Sequence, residues 1–391
     1  MKSDIFDVIV IGAGPAGIEA CLRCTRRGFK TVIIDKSFRI AGAVRCGELM
    51  NSASLSDLGY SDESWIRLKL HKYSIHGPFD SGGTIAKHEI GAVINRRMYS
   101  EQTLRKAISA GAVVLTSAKA VAIENGSDGF HNIKIRHDRE YIKIIAKVII
   151  AADGWRSSTA SLHRIKRLNT VTHRCLCLAN MINHKKINKD SCRIYLDGRL
   201  APGGYAWVIP HGNGTGQIGL GASLNLISAF QLRENFRMFR NHLFADAEYL
   251  SSMGGVVPCS PLESIFSSRG ILFAGDAAGQ TNPLTGSGVY SAMKAGRLCA
   301  DVAADAISEG DWSAGRLRRY DDLWRIHFGD IHNSNYDTRQ KLNSLDNVAV
   351  DFGVRRFFEK RGEPDSVSRV LSEIMQFAKM YQFNEEMIIA Q

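Results

Sequence analysis

The apolar positions of this chain fall into two kinds of short block. In one kind they are consecutive and mostly β-branched. Residues 7–11 (Asp-Val-Ile-Val-Ile), Thr31–Ile34 and Lys147–Ala152 are of this kind. Such runs suit strands buried on both faces, as in a parallel sheet. In the other kind, between residues 170 and 260, apolar and polar residues alternate. Glycines at 203, 204, 212, 214, 216, 219 and 221 punctuate that stretch. A period of two predicts strands with one buried face, in an antiparallel sheet. Residues 97–110 read as a helix and 112–115 as a strand. Gly129–Arg136 and Glu140–Ala146 read as a hairpin-like pair, before the buried strand Lys147–Ala152. Residues 268–305 return to strand, glycine loop and helix, and the period is helical from Asp311 onward.

Glycines at the ends of the buried blocks change the picture. The first block runs into Gly12-x-Gly14-x-x-Gly17, with Pro15 at a helix start. Gly12 allows the tight turn, Gly14 lets backbone approach a pyrophosphate, and Gly17 lets the helix pack on the sheet. The helix N-terminus then offers free N–H groups to phosphate. Gly28 ends the helix. Asp35 closes the next strand, placed to accept from the ribose hydroxyls of an adenosine. A second element lies far downstream: Gly275-Asp276-Ala277-Ala278, followed by Gly286 and Gly288. A nicotinamide site needs only the first element. Both together suit FAD held from its two ends.

The predicted class is therefore α/β with an α+β insert. A Rossmann-like FAD-binding domain with a parallel sheet is drawn from residues 1–65, 90–165 and 265–310. An antiparallel-sheet substrate domain takes 66–89 and 166–264, and C-terminal helices take 311–391.

Composition narrows the class further. No run of about 18 apolar residues occurs, so no transmembrane helix is expected. The eight cysteines are irregularly spaced, which predicts a reducing, cytoplasmic compartment and no disulfide framework. Neither they nor the twelve histidines form a metal-ligand pattern, so no metal is expected. Cys21 and Cys24 read as helix packing residues, and Cys175 and Cys177 as strand residues sharing one face. The net charge is +11. Basic clusters lie at Arg23/Arg26/Arg27/Lys30, His163/Arg164/Lys166/Arg167, His184/Lys185/Lys186/Lys189 and Arg316/Arg318/Arg319. They read as solvated faces, or as surfaces that attract anionic phospholipid, an acidic redox partner or, last, nucleic acid. No nucleic-acid module is present.

Residues 149–157, containing Asp153-Gly154-Trp155-x-Ser157, and residues 272–278, containing Gly275-Asp276, resemble the internal motifs of the p-hydroxybenzoate hydroxylase superfamily. The resemblance implies that Asp276 meets the ribityl chain of FAD and that Gly286, Gly288 and Val289 face the flavin ring. It also implies cofactor contacts at Ala16, Lys36, Cys46, Gly47, Asp153 and the backbone of Ala120. Arg96 matches a cofactor-facing arginine at a helix start, with Arg97 the adjacent candidate.

Pro202-x-x-Tyr205-x-Trp207-x-Ile209-Pro210 resembles the P-x-x-Y-x-W-x-F-P motif of the geranylgeranyl reductase family, with Ile209 in place of Phe. Arg45-Cys46-Gly47-Glu48 resembles the Cys-Gly-Glu-Gly segment of its archaeal lipid-reducing members, with Leu49 in place of the last glycine. Residues 319–329 resemble that family's C-terminal helix. The resemblance implies saturation of isoprenoid C=C bonds, on geranylgeranyl chains of an archaeal-type ether phospholipid. One workable route for an electron-rich trisubstituted alkene adds a proton first and takes hydride from reduced flavin second. Candidate residues for this chemistry are Cys46 or Glu48 as the acid, and Tyr205 and Trp207 as an aromatic wall for cation–π stabilisation. The electron donor implied is NAD(P)H or a ferredoxin-like protein. Open alternatives are a flavin monooxygenase or halogenase, a flavoprotein passing electrons to a quinone, a reductase of chlorophyll or menaquinone tails, and a prenyl-binding escort without flavin.

Overall fold

The computed structural model describes residues 4–42, 44–60, 63–126, 129–165, 170–187, 189–360 and 366–389. Lys166 and Arg167, counted above in a basic cluster, lie outside the described residues.

Two eight-stranded sheets organise the chain. The strand Asp4–Ile11 lies inside the first, paired in parallel with Thr31–Ile34 on one side and Glu140–Ala151 on the other. Val8, Ile9 and Val10 are completely buried, as expected of a strand covered on both faces. Ile271–Phe273 extends the sheet beyond Glu140–Ala151 and Val113–Leu115 extends it beyond Thr31–Ile34, both in parallel. The helices Pro15–Arg26 and Val289–Glu309 pack together over this sheet.

Glu140–Ala151 is one continuous strand of 12 residues. The sequence reading divided it into a hairpin arm and a separate buried strand. Its first half pairs antiparallel with His131–His137 and its second half pairs with Ile271–Phe273, while Asp4–Ile11 runs beside its length from Ile144. The change of partner midway produced the change of pattern.

The second sheet runs in the order Glu248–Pro258, Arg174–Asn183, Thr215–Ser223, Tyr205–Gly212, Ser191–Tyr195, Ile66–His76, Gly82–Ile94 and Leu49–Asn51. Its pairings are antiparallel except one: Ser191–Tyr195 lies parallel to Ile66–His76. The domain boundary expected at residue 90 falls inside the strand Gly82–Ile94. A further difference is the helix Ala229–Phe244, in a stretch read as strands throughout. Its buried Leu232, Phe236 and Phe239 recur at helical spacing, and the Ser228 side chain caps it by accepting from the Gln231 N–H.

The C-terminal region is helical, in segments Ala314–Leu317, Arg319–Trp324, Asp330–Ser344, Asn347–Glu359 and Val367–Ile389. A π-turn at Arg325–Gly329 joins the second to the third. Asn347–Glu359 packs on Val367–Ile389 and on the strand Gly82–Ile94, covering the second sheet. Five residues of the basic clusters have acidic partners inside the molecule. Arg23 and Arg27 meet Asp301 and Asp305, Arg316 meets Glu309, Arg319 meets Asp305, and His184 meets Asp246.

Candidate functional site

The first-sheet strands end at the nucleotide loop. Gly12 has φ +102°, and a Cβ there would lie 2.3 Å from the Ala152 carbonyl oxygen. A Cβ on Gly17 would lie 1.8 Å from the Gly12 carbonyl oxygen. Only glycine permits this turn and this approach. A Cβ on Gly14 would meet nothing within 4 Å. Gly14 caps the helix Pro15–Arg26 with no side chain on its first N–H groups. That is an open cradle with free donors, the arrangement a pyrophosphate needs.

Asp35 shapes the loop. One carboxylate oxygen accepts from the Ala13 N–H at 2.8 Å and the other from the Ser37 N–H at 2.8 Å. Each oxygen keeps a lone pair for a ribose hydroxyl. Lys36 lines a cavity of about 550 Å³ with Ser117, Lys119, Arg136 and Asp138. Ala120 is buried on the neighbouring strand Ala118–Asn125. Ala16 packs beneath the turn of Gly275. Asp153 faces its own chain: its carboxylate accepts from the Ser157 and Ser158 hydroxyls and from the Thr159 N–H and hydroxyl. It fastens the start of the helix Ser158–Leu162.

Asp276 follows the strand Ile271–Phe273. Its carboxylate accepts from the Thr281 hydroxyl at 2.8 Å. Burial pushes its pKa up, and the Thr281 hydrogen bond and the Arg96 guanidinium oppose that. Gly286 has φ +66°, and a Cβ on Gly288 would come 3.5 Å from the Asp276 carboxylate. Val289 begins the long helix that follows.

Arg96 and Arg97 take separate tasks. Arg97 donates from its guanidinium to the Ala41 and Gly42 carbonyls, holding that loop. Arg96 turns toward Asp276 and Cys46, and its Nε is buried with no partner. A buried, unpartnered guanidinium N–H beside this loop is a vacancy for an acceptor. The open glycine cradle, Asp35, Asp276 and Arg96 together fit FAD.

Cys46 and Glu48 sit in a turn at the edge of the second sheet. Glu48 has φ +59°, a left-handed conformation that costs energy in a non-glycine residue. Three hydrogen bonds hold it there. Its carbonyl accepts from the Ile94 N–H, its carboxylate from the Arg96 N–H, and its own N–H donates to the Cys46 sulfur at 3.2 Å. Leu49, where the resemblance has glycine, starts the strand Leu49–Asn51. Glu48 therefore carries the turn. Burial pushes the Cys46 thiol up, against the pull of the Arg96 guanidinium and the Glu48 N–H. Burial also raises Glu48, against its contact with the Arg96 N–H and the charges of Arg67, Arg96 and Arg97. Burial shifts both groups toward their protonated forms. Both line a cavity of about 630 Å³, with Arg45, Arg67, Arg97 and Met253.

Tyr205 and Trp207 lie on one face of the strand Tyr205–Gly212, as their alternation predicts. Their ring centroids are 5.9 Å apart at 61°. The Tyr205 hydroxyl donates to the Thr285 carbonyl, in the loop between Asp276 and Gly288. The Trp207 indole donates to the Gln217 side-chain oxygen at 2.9 Å. The Gln217 amide in turn donates to the Cys46 carbonyl at 2.9 Å. Gly47 lies against Ile209 and Gln217.

Two residues of this cluster escape a sequence reading. Gln217 joins the aromatic wall to the cysteine turn. His211 is 3% exposed, and its Nδ1 lies 3.5 Å from the Glu48 carboxylate and 3.4 Å from Arg67. Burial, reinforced by Arg67, pushes the His211 pKa down to about 4. The only available signals were a polar residue at an inward position of an apolar strand, for Gln217, and a histidine directly after the Pro210 motif.

Two family models match. The FAD binding domain covers residues 7–58 and the geranylgeranyl reductase catalytic domain covers 174–257. The digeranylgeranylglycerophospholipid reductase of Methanocella arvoryzae is 30% identical over 381 residues, 96% of this chain and 96% of that protein. The protein of the same name from Methanocaldococcus jannaschii is 31% identical over 355 residues, 89% of this chain and 90% of that one. Among solved structures, a geranylgeranyl bacteriochlorophyll reductase-like protein from Thermoplasma acidophilum superposes with a TM-score of 0.88 at 27% identity, covering 95% of this chain and 96% of that chain. A flavin-dependent brominase superposes at 0.73 with 17% identity over 99% of this chain and all of that one, which shows a shared fold alone. With the nucleotide cradle and the Cys46 turn in place, the chain belongs to the digeranylgeranylglycerophospholipid reductase family of FAD-dependent oxidoreductases.

Proposed function

We propose that this protein saturates isoprenoid C=C bonds in geranylgeranyl chains of an archaeal-type ether phospholipid. The observation that carries this reading is the hydrogen-bonded path from Trp207 through Gln217 to the Cys46 carbonyl, which ties an aromatic wall to the turn that carries a buried thiol. FAD, once reduced, supplies the hydride. The chain's residues supply the proton and the surroundings. Cys46 stays a thiol near neutral pH because burial disfavours its thiolate, and it gives its proton to the less substituted alkene carbon. Glu48, also biased toward its acid form and lining the same cavity, restores that proton. Tyr205 and Trp207 offer π faces to the tertiary-cation character that protonation creates.

The reductant is NAD(P)H or a ferredoxin-like protein. The chain carries no second three-glycine fold, so a nicotinamide would dock transiently. No helix among the described residues is long and apolar enough to cross a membrane. The protein reaches its lipid as a peripheral visitor to the cytoplasmic face.

The test is anaerobic incubation of dithionite-reduced holoenzyme with an unsaturated archaeal-type ether lipid, followed by mass analysis. A gain of two hydrogens per double bond is the expected result. No gain on any geranylgeranyl lipid, with FAD bound and reduced, overturns the reading.

A further inference from the structure

Behind the aromatic wall lies a second cluster that the proposed reaction does not use. Arg339, on the helix Asp330–Ser344, is 3% exposed. Among the described residues no carboxylate pairs with it. Its guanidinium instead donates to the Cys175 sulfur at 3.0 Å, to the Ser223 hydroxyl at 2.5 Å and to the Pro283 carbonyl at 3.3 Å. A buried guanidinium without an anion is costly. The group placed to supply that anion is Cys175. Cys259, itself buried, lies at the neighbouring strand's end, diagonally across the ladder from Cys175. The closeness of Cys259, together with the Arg339 guanidinium, lowers the Cys175 thiol against the opposing effect of burial, while Cys175 and burial raise Cys259. The backbone holds the two cysteines together. Cys175 faces Val257 across the ladder, and the Cys259 N–H donates to the His173 carbonyl at 2.7 Å.

We propose that Cys175 and Cys259 form a peroxide-reactive thiol pair, with Cys175 held as a thiolate by Arg339. The thiolate is the nucleophilic form of cysteine, and a neighbouring thiol resolves the product. The Cys175 thiolate attacks one oxygen of hydrogen peroxide. The O–O bond breaks, an S–O bond forms, and hydroxide leaves. The Cys259 sulfur then attacks the Cys175 sulfenic acid, forming the S–S bond and releasing water as the Cys259 proton joins the departing oxygen. The two sulfurs together lose two electrons. Peroxide gains two, and one further proton from solvent turns the hydroxide into a second water.

The disulfide removes the negative charge that Arg339 was paired with. Arg339 also holds the Pro283 carbonyl, two residues before the Thr285 carbonyl that accepts from Tyr205. Oxidation therefore reaches the flavin-side loop and the aromatic wall through one side chain.

The experiment is peroxide titration of the full-length, FAD-bound protein, read by intact mass, peptide mapping and turnover. Wild type should lose two hydrogens, yield a Cys175–Cys259 crosslinked peptide and fall about tenfold in turnover. Dithiothreitol should reverse all three. Cys259→Ala should keep its basal turnover, form no crosslink and trap a dimedone adduct at Cys175. No two-hydrogen loss, a crosslink between other cysteines, or a Cys175–Cys259 disulfide with unchanged turnover overturns the proposal. The mass readout needs no lipid, so it is decided independently of the proposed reaction. Because Cys259→Ala leaves the Arg339–Cys175 contact in place, the test does not depend on a Cys175 variant that folds.

Discussion

The Glu48 carboxylate accepts the backbone N–H of Arg96 at 2.8 Å, at the first residue of the helix Arg96–Ser109. One acidic side chain thus caps the helix that presents Arg96 and sits in the turn that presents Cys46. The same contact holds together the residues proposed as the cofactor-facing cation and the proton donor. Replacing Glu48 with Gln keeps an acceptor for the Arg96 N–H and removes the acid. Glu48→Gln should retain FAD and lose turnover by one to two orders of magnitude, within the range that general-acid groups contribute. Steady-state rates with flavin absorbance on the same sample check this.

Cys46→Ala should also bind FAD normally and lose alkene reduction. The raised thiol makes a second expectation: Cys46 should alkylate slowly with iodoacetamide at neutral pH, because little thiolate is present. Wild-type turnover in Cys46→Ala would remove the thiol from the proton path.

Gln217 spans Trp207 and Cys46 with one hydrogen bond to each. Gln217→Ala leaves a buried indole N–H and a carbonyl without partners. Such losses cost about 2 kcal/mol together. Thermal unfolding should register that loss. Turnover should fall further than the change in FAD affinity, because the connection between wall and turn is gone.

Gly219 lies directly under Trp207. A Cβ there would be 2.4 Å from the indole ring. Gly219→Ala forces the ring or the strand to move, an overpacking cost of about 1–3 kcal/mol. The expected signature is a shift in tryptophan fluorescence with FAD still bound. An unchanged spectrum and unchanged rate would show that the ring's position is not constrained by this contact.

His211 gives a pH prediction with a definite sign. Its folded pKa is pushed from 6.5 down to about 4 by burial and by Arg67, so the folded state prefers the neutral ring. That preference contributes stability in full above pH 6.5 and is lost as pH falls through 4, by up to about 3 kcal/mol. Glu48 works in the opposite sense: its pKa is raised, so its contribution is present below 4.5 and fades as pH rises through the elevated folded value. His211→Gln should flatten the loss of melting temperature between pH 6.5 and 4. A profile as steep as wild type would place the acid sensitivity elsewhere.

The cofactor side of the molecule was legible because its chemistry is written in backbone. A phosphate cradle needs glycine at Gly12 and Gly17, and residue type alone reports that. The alternation of Tyr205 and Trp207 reported one shared face, and the rings do meet. Side-chain connections were not legible. Gln217 and His211 act through partners 171 and 163 residues away, Cys46 and Glu48, and no local spacing encodes such a pair. The helix Ala229–Phe244 was missed because phenylalanine and leucine serve a strand or a helix equally well. Only the longer period of Leu232, Phe236 and Phe239 distinguishes them. The division of Glu140–Ala151 failed for a related reason: a change of neighbour looked like a change of element.

The second sheet gathers strands from Leu49–Asn51, from the middle of the chain and from Glu248–Pro258, while the first waits for Ile271–Phe273. During synthesis the second layer cannot close before Pro258 has left the ribosome nor the first before Phe273, roughly 15–55 s after initiation. Until then the half of Glu140–Ala151 that will pair with Ile271–Phe273 lacks that neighbour, and its apolar edge at Ile149–Ala151 stands open. The nascent chain is therefore at its most aggregation-prone over most of its translation, and its yield in a foreign host should depend more on chaperone supply than on the stability of the finished fold.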